Sequence, residues 1–186
     1  MNPLEIAAAV LGLIQIVLLM RRSVWNFPVA MAMVTLTGVV LAGARLYSEA
    51  GLQAFFFVVN AHGWWLWRQA QGKDDGTVPV GWMTGPARGG WAAVTLVLSA
   101  MLGWVMHRFT NAALPFADSA VAGASVAAQL LLNMRRIENW ALWIAIDVVS
   151  VMLYVTRGLN LLAALYVAFL VVSVIGLREW TKASQA

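Results

Sequence analysis

Apolar runs about as long as a bilayer is thick, broken by short polar joints, set the pattern of this chain. They extend from Leu4 to Met20, Val24 to Ala44, Leu52 to Trp67, Trp91 to Met106, Ser119 to Met134, Trp140 to Val155 and Leu159 to Leu177. About 20 apolar residues in helical form cross the roughly 30 Å of hydrocarbon in a membrane. The pattern therefore predicts an all-α integral membrane protein with seven transmembrane helices. The first run does not read as a cleaved signal peptide, because its arginine pair, Arg21 and Arg22, follows the apolar stretch instead of preceding it. Residues 69–90 carry Lys73, Asp74, Asp75, two prolines and several glycines, which predicts a polar loop and the one substantial linker in a single membrane domain, 1–186.

Sliding the chain by 113 positions superposes Arg22 on Arg135, Asn26 on Asn139, Gly63 on Gly176 and Trp67 on Trp180 without a gap. Matches of Leu and Val are common in such a composition, but Trp, Asn, Gly and Arg holding one register across three helices are not. Residues 4–67 and 119–180 thus read as three-helix repeats. Three is an odd number, so consecutive repeats would be inverted unless one helix reset the direction, and the unmatched run 91–106 supplies it. The expected architecture is 3+1+3 with parallel repeats, an arrangement that in transporters places substrate between the halves near the midplane.

Composition narrows the function more than the fold. The 186 residues are 62% hydrophobic and 11% charged, with a mean hydropathy of +0.79, too apolar for a soluble domain. The net charge of +4 comes from Lys and Arg scattered at helix ends, with no basic stripe for nucleic acid. With seven spans, one side receives Arg21, Arg22, Arg68, Lys73, Arg88, Arg135, Arg136, Arg178 and Lys182, and the other only Arg45, Arg108 and Arg157. This bias puts the 69–90 loop and the C-terminus in the cytoplasm and the N-terminus outside an inner membrane. The chain has no Cys, and His62 and His107 have no partner at zinc spacing. Gly72-Lys73 lacks the glycine spacing of a phosphate loop, and no Ser-His-Asp set or paired catalytic carboxylates occur. No cofactor is expected, and an enzyme is not.

Polar residues inside spans are costly against lipid and mark an interior or a pore. Asp147 lies well within the sixth run, where an acid costs about 2.5 to 3.5 kcal/mol on insertion scales, which implies a partner or a water-filled cavity: it reads either as the contact of a cationic substrate or as a structural carboxyl, protonated or paired with an arginine of the bundle. Gln53, Asn60 and His62 fall in the third run, with Tyr166, Ser173 and Ile175 at the repeat-related positions, and Gln129 falls in the fifth. Each reads either as a ligand contact or as an interhelical hydrogen bonder. Trp64 and Trp67 share a helix face, as do Trp140 and Trp143, and can either stack on a flat aromatic ring or belong to an interfacial belt. Trp91 and Trp180 read as belt residues. Ala8, Gly12, Gly38 and Gly123 suit close helix packing.

Leu46-Tyr47, Leu52-Gln53-Ala54-Phe55-Phe56-Phe57, Asn60, Gly63-Trp64 and Trp67 in the first half carry a resemblance, continued by Asp118-Ser119, Arg136-Ile137-Glu138-Asn139-Trp140, Leu142-Trp143-Ile144, Leu153-Tyr154, Gly158, Ala164-Leu165-Tyr166, Gly176 and Trp180. Over nearly its whole length the chain resembles the PnuC family of vitamin transporters, whose relatives are similar in fold to SWEET sugar transporters. The resemblance implies facilitated diffusion of an unphosphorylated vitamin, trapped inside by a cytoplasmic kinase. Family members carry nicotinamide riboside, thiamin, riboflavin or deoxynucleosides. The chain departs from the family pattern at Asp147, where Asn is usual, and at Ala61-His62, where Ile-Tyr is usual. An acid in the pore suits a cationic ring, which favours nicotinamide riboside, with thiamin next. Candidate binding residues are Gln53, Asn60, Trp64, Trp67, Gln129, Asn139, Trp140, Trp143, Asp147 and Tyr166. The expected partners are a small vitamin, the lipid bilayer and, through metabolism, the kinase. A homo-oligomer is left open.

Overall fold

A computed structural model describes residues 3–43, 47–71, 78–109, 115–156, 158 and 160–185. Among them are seven helices: α1 (Pro3–Met20), α2 (Asn26–Gly43), α3 (Tyr47–Ala70), α4 (Gly85–Phe109), α5 (Pro115–Asn133), α6 (Glu138–Thr156) and α7 (Asn160–Ala183). Proline, which lacks the N–H that a first turn leaves unpaired, starts α1 and α5. His107 and Arg108 sit at the negative end of the α4 dipole. Five helices, α2 and α4 to α7, are long and apolar enough to cross a membrane. The apolar part of α1, Ile6–Met20, is shorter, and α3 is diluted by Gln53, Asn60, His62 and Arg68.

The connection expected at residues 69–90 is shorter than its composition suggested. Helix α3 continues through Ala70 and α4 begins at Gly85, because Pro86 is tolerated in a first helical turn. Lys73, Asp74 and Asp75 lie outside the described residues.

The chain divides into two units, Met1–Val80 with Asn133–Arg135 and Ala186, and Gly81–Leu132 with Arg136–Gln185. In the first, α1 packs on α2 and α2 on α3. Gly12 lets the Met33 sulfur come within 3.2 Å of where a Cβ would stand, and Gly38 admits Gln53, the close approach for which small residues are needed in lipid. The buried Asn133 donates from Nδ2 to the Val59 carbonyl at 2.9 Å. In the second unit α6 packs on α7, and α4 lies antiparallel to α5, with Gly103 under Phe116 and Gly123 against Ser99.

The same local construction occurs twice, at positions 113 apart. Helix α1 closes on Arg22 (φ 55°) and α5 on Arg135 (φ 59°). A Ser23 N–H bond to the Leu18 carbonyl (3.0 Å) has its counterpart in the Arg136 N–H bond to Leu131 (2.9 Å). These are Schellman closures with arginine where glycine is usual, and a cation at a helix C-terminus offsets part of the left-handed strain. The next helix then opens on a buried asparagine that holds the turn: Asn26 Nδ2 donates to Ser23 O at 2.7 Å, and Asn139 Nδ2 to Arg136 O at 2.6 Å. Phe27 meets Trp67 edge-on at 5.0 Å, and Trp140 meets Trp180 edge-on at 5.5 Å.

The segment leading into α4 is held at both ends. In the first unit, Val78 N–H donates to the Arg22 carbonyl (3.3 Å) and Arg22 Nη1 to the Val78 carbonyl (3.4 Å). In the second, Ile137 N–H donates to Gly81 (3.1 Å), while Glu138 Oε1 accepts from Met83 N–H (2.9 Å) and Arg88 Nε (2.7 Å). The Arg88 guanidinium also lies over the Trp82 ring, 5.2 Å from its centroid.

Gly63 and Gly176 are where the aromatic pairs demand the absence of a side chain. A Cβ on Gly176 would come within 2.5 Å of the Trp140 ring, and one on Gly63 would overlap Phe27 and Asn133. Gly176→Ala and Gly63→Ala should each destabilise the protein by about 1 to 3 kcal/mol, whereas Gly90→Ala, which meets open space, should not. Thermal unfolding in detergent, followed by Trp fluorescence, measures the difference.

Candidate functional site

Helix α6 carries a stripe spaced three and four residues apart: Trp140, Trp143, Asp147, Ser150 and Tyr154. On α7 the matching stripe is Tyr166, Phe169, Ser173, Gly176 and Trp180. Such spacing keeps side chains on one face, and the contacts between the helices pair these faces antiparallel. At one end Trp140 packs on Trp180 and over Gly176. In the middle, Ser173 Oγ donates to Asp147 Oδ2 at 2.9 Å, with Asp147 4% and Ser173 6% exposed. At the other end Tyr154 and Tyr166 have ring centroids 5.1 Å apart, and Phe169 stands edge-on to Tyr166 at 5.6 Å. A buried carboxylate and hydroxyl are thus bracketed along the helices by aromatic rings. Ser150, also buried, continues the polar stripe.

The first unit repeats this layout with different chemistry. On α3, Gln53, Asn60, Gly63 and Trp67 occupy the positions of Tyr166, Ser173, Gly176 and Trp180. Asn60 is buried and donates to the Phe56 carbonyl of its own helix at 2.8 Å. Gln53 packs beside Gly38 and is half-buried. Val34 stands 113 positions before Asp147, so the acid has no counterpart at that spacing.

Several candidates turn out to be packing residues. Trp67 is wholly buried against Phe27, and Trp140 is buried against Trp180. Trp180 is no belt residue, since none of its surface is exposed. Asn139 is equally buried and spends its amide on the turn before α6. The physical reason is the pairing across each two-helix face, which turns one tryptophan of each couple inward and leaves the other, three residues away, half-buried. Trp143 and Trp64 are these others, although the Arg68 guanidinium already lies 5.6 Å from the Trp64 ring centroid.

His62 points outward and stacks on Trp65 at 6.1 Å, away from the face of Asn60. Gln129 is buried in α5. Of the sequence candidates, the structure brings Asp147 and Tyr166 onto one paired face with Trp143. The reading from sequence passed over Ser150 and Tyr154 as members of the stripe. Their three-and-four spacing from Asp147 was the available signal. Among the described residues no group of His, Asp or Glu could hold a metal ion.

Residues 2–182 match the family described as Nicotinamide mononucleotide transporter, and the chain belongs to that family, one of multi-pass membrane transporters. It is 25% identical over 206 residues to the nicotinamide riboside transporter PnuC of Escherichia coli (strain K12), covering 98% of this chain and 86% of the relative. To PnuC of Neisseria mucosa it is 29% identical over 188 residues, covering 94% and 70%. To the riboflavin/roseoflavin transporter RibM of Streptomyces davaonensis it is 29% identical over 181 residues, covering 95% and 83%. A crystal structure of the vitamin B3 transporter PnuC is similar with a TM-score of 0.79 and 27% identity, over 98% of this chain and 82% of that one.

The division of the tryptophans is testable. Trp67→Ala, Trp140→Ala and Trp180→Ala should each cost about 3 to 5 kcal/mol of stability, the usual loss when a large buried aromatic is truncated. Trp64→Ala and Trp143→Ala should cost less than about half of that. The five variants are compared by thermal unfolding in detergent.

Proposed function

We propose that this chain is an inner-membrane facilitator that takes up nicotinamide riboside, with net uptake maintained by a cytoplasmic kinase that phosphorylates the vitamin. The observation that carries the substrate class is Asp147, a carboxylate buried on the α6–α7 face and hydrogen-bonded to Ser173. An ionised carboxylate in hydrocarbon is unfavourable without a counter-charge, and the pyridinium ring of nicotinamide riboside supplies one. Aromatic neighbours add a stacking surface, with cation–π attraction of about 0.5 to 2 kcal/mol. We assign binding to Asp147 and Tyr166, with Ser150, Ser173 and Trp143 beside them on the α6–α7 stripe. Trp140 and Asn139 support it by packing and by holding the turn before α6.

In this reading all seven helices span the bilayer, as two three-helix repeats, α1–α3 and α5–α7, linked by α4. The shared Schellman closures, asparagine caps and edge-on aromatic pairs support the repeat. The excess of Lys and Arg on one set of joints supports a cytoplasmic C-terminus. The polar residues that dilute α3 are tolerable in a span when they face the protein interior.

Likeness to a riboflavin/roseoflavin transporter at 29% identity favours a second reading, in which a neutral flat ring is the cargo. The acid at 147 argues against it, and thiamin, also cationic, ranks ahead of riboflavin on that ground.

Binding of nicotinamide riboside, thiamin, riboflavin and a neutral nucleoside to the purified protein, by Trp fluorescence quenching, decides among them. Saturable binding of nicotinamide riboside is expected, and Asp147→Asn should weaken it by about 10- to 100-fold, or roughly 1.4 to 2.7 kcal/mol. Binding of riboflavin alone would replace the first reading with the second, and binding of none would overturn both.

A further inference from the structure

Serine and threonine hydroxyls along a helix commonly turn back on their own backbone, where the carbonyl four residues earlier has a lone pair to spare. Thr35 donates to the Met31 carbonyl at 2.7 Å, Thr37 to Met33 at 2.9 Å, Thr95 to Trp91 at 2.8 Å and Ser125 to Val121 at 2.8 Å. The α6–α7 face departs from this habit twice. Ser173 donates across the helix pair to Asp147 at 2.9 Å. Ser150, only 3% exposed, makes no bond back to the Ile146 carbonyl. A hydroxyl held out of water and off its own backbone is one that a ligand can bond, and one that loses stability when a ligand offers it nothing.

Position gives this hydroxyl a task. Along α6 it follows Asp147 by one turn, a rise of roughly 4.5 Å. Tyr154 follows by one turn more and packs on Tyr166, with ring centroids 5.1 Å apart. In the other direction from Asp147 the stripe continues with the flat rings of Trp143 and Trp140. A cationic nucleoside carries its parts in the same order: a flat charged ring, then a sugar whose first hydroxyl stands three bonds from the charged nitrogen. With the charge at Asp147, the ring lies toward Trp143 and the sugar toward Ser150.

We propose that Ser150 is a specificity-determining residue of the α6–α7 face, its hydroxyl bonding a sugar hydroxyl, so that the site selects a cationic riboside over a cation of equal charge that has no sugar. This rests on the cationic cargo proposed above and ranks its candidates. Nicotinamide riboside brings Ser150 a partner beside its charge, whereas thiamin, whose charged ring bears no sugar, leaves the hydroxyl unpaired inside the protein. A buried polar group left unpaired is the means by which a site rejects an analogue that lacks the matching group. The bond joins neutral groups and moves no charge, so it selects the cargo without coupling its passage to any other gradient.

Two ligands of equal charge separate the sugar from the ring: nicotinamide riboside, and N-methylnicotinamidium, in which a methyl group on the ring nitrogen replaces the ribose. Their binding to the full-length protein in detergent, followed by Trp fluorescence quenching, should favour the riboside in the wild type. Ser150→Ala should weaken riboside binding by about 3- to 30-fold and act on that ligand alone, narrowing the ratio of the two affinities by the same factor. Ser125→Ala, which removes a hydroxyl already bonded to its own helix, should alter neither. Equal binding of the two ligands by the wild type would overturn the sugar subsite and leave the cationic cargo standing, and this arm needs no variant to fold. An equal loss of both ligands in Ser150→Ala, or riboside binding undiminished in it, would do the same. Binding of neither cation by the wild type would overturn the proposed cargo itself.

Discussion

A membrane interior offers helices no hydrophobic reward for pairing, because lipid tails are as apolar as leucine. Association must come from close packing and from polar groups that find partners inside the protein. The two glycines that face aromatic rings meet the first need. Gly63 receives Phe27 and Gly176 receives Trp140, and in each case the ring is then met edge-on by a tryptophan one turn further along the same helix as the glycine. With a side chain at either glycine the aromatic ring would have to move. Because Phe27 and Trp140 follow directly on the asparagines that hold the preceding turns, the packing of each helix pair and the angle at which the chain enters it are linked.

The polar groups meet the second need and, in doing so, locate the chemistry. Asn26 and Asn139 spend their amides on turns, Asn60 on its own helix and Asn133 on α3. Asp147 is different in kind, since a neutral hydroxyl satisfies one hydrogen bond but not a charge. The same residue that looks expensive for folding is therefore the seat of the cation in the function proposed, and aromatic rings stand on either side of it along the α6–α7 stripe.

Much of the architecture was legible because hydrocarbon imposes simple lengths and periods. Apolar runs marked the helices, and the Arg, Asn, Gly and Trp residues that recur at a spacing of 113 sit in turns and aromatic contacts of the same kind. The helix ends were less legible. Residues 85–90 look like loop from their glycines and proline, yet a proline in a first turn costs a helix nothing, and α4 starts there. The site was legible in part: Asp147 stood out by charge, whereas Ser173 and Ser150 are unremarkable residues whose importance lies in what they face.

By itself the sequence determined the class of protein, the family and the position of an acid in a span, since these follow from composition, spacing and residue type along the chain. Tertiary structure alone decided which tryptophan of each couple is buried, that Trp180 belongs to the core and not to the bilayer surface, that His62 points away from Asn60, and that Asp147 is answered by a serine. Those are matters of which helix lies opposite, and side chains three residues apart on one helix can face quite different surroundings once a second helix is packed against it.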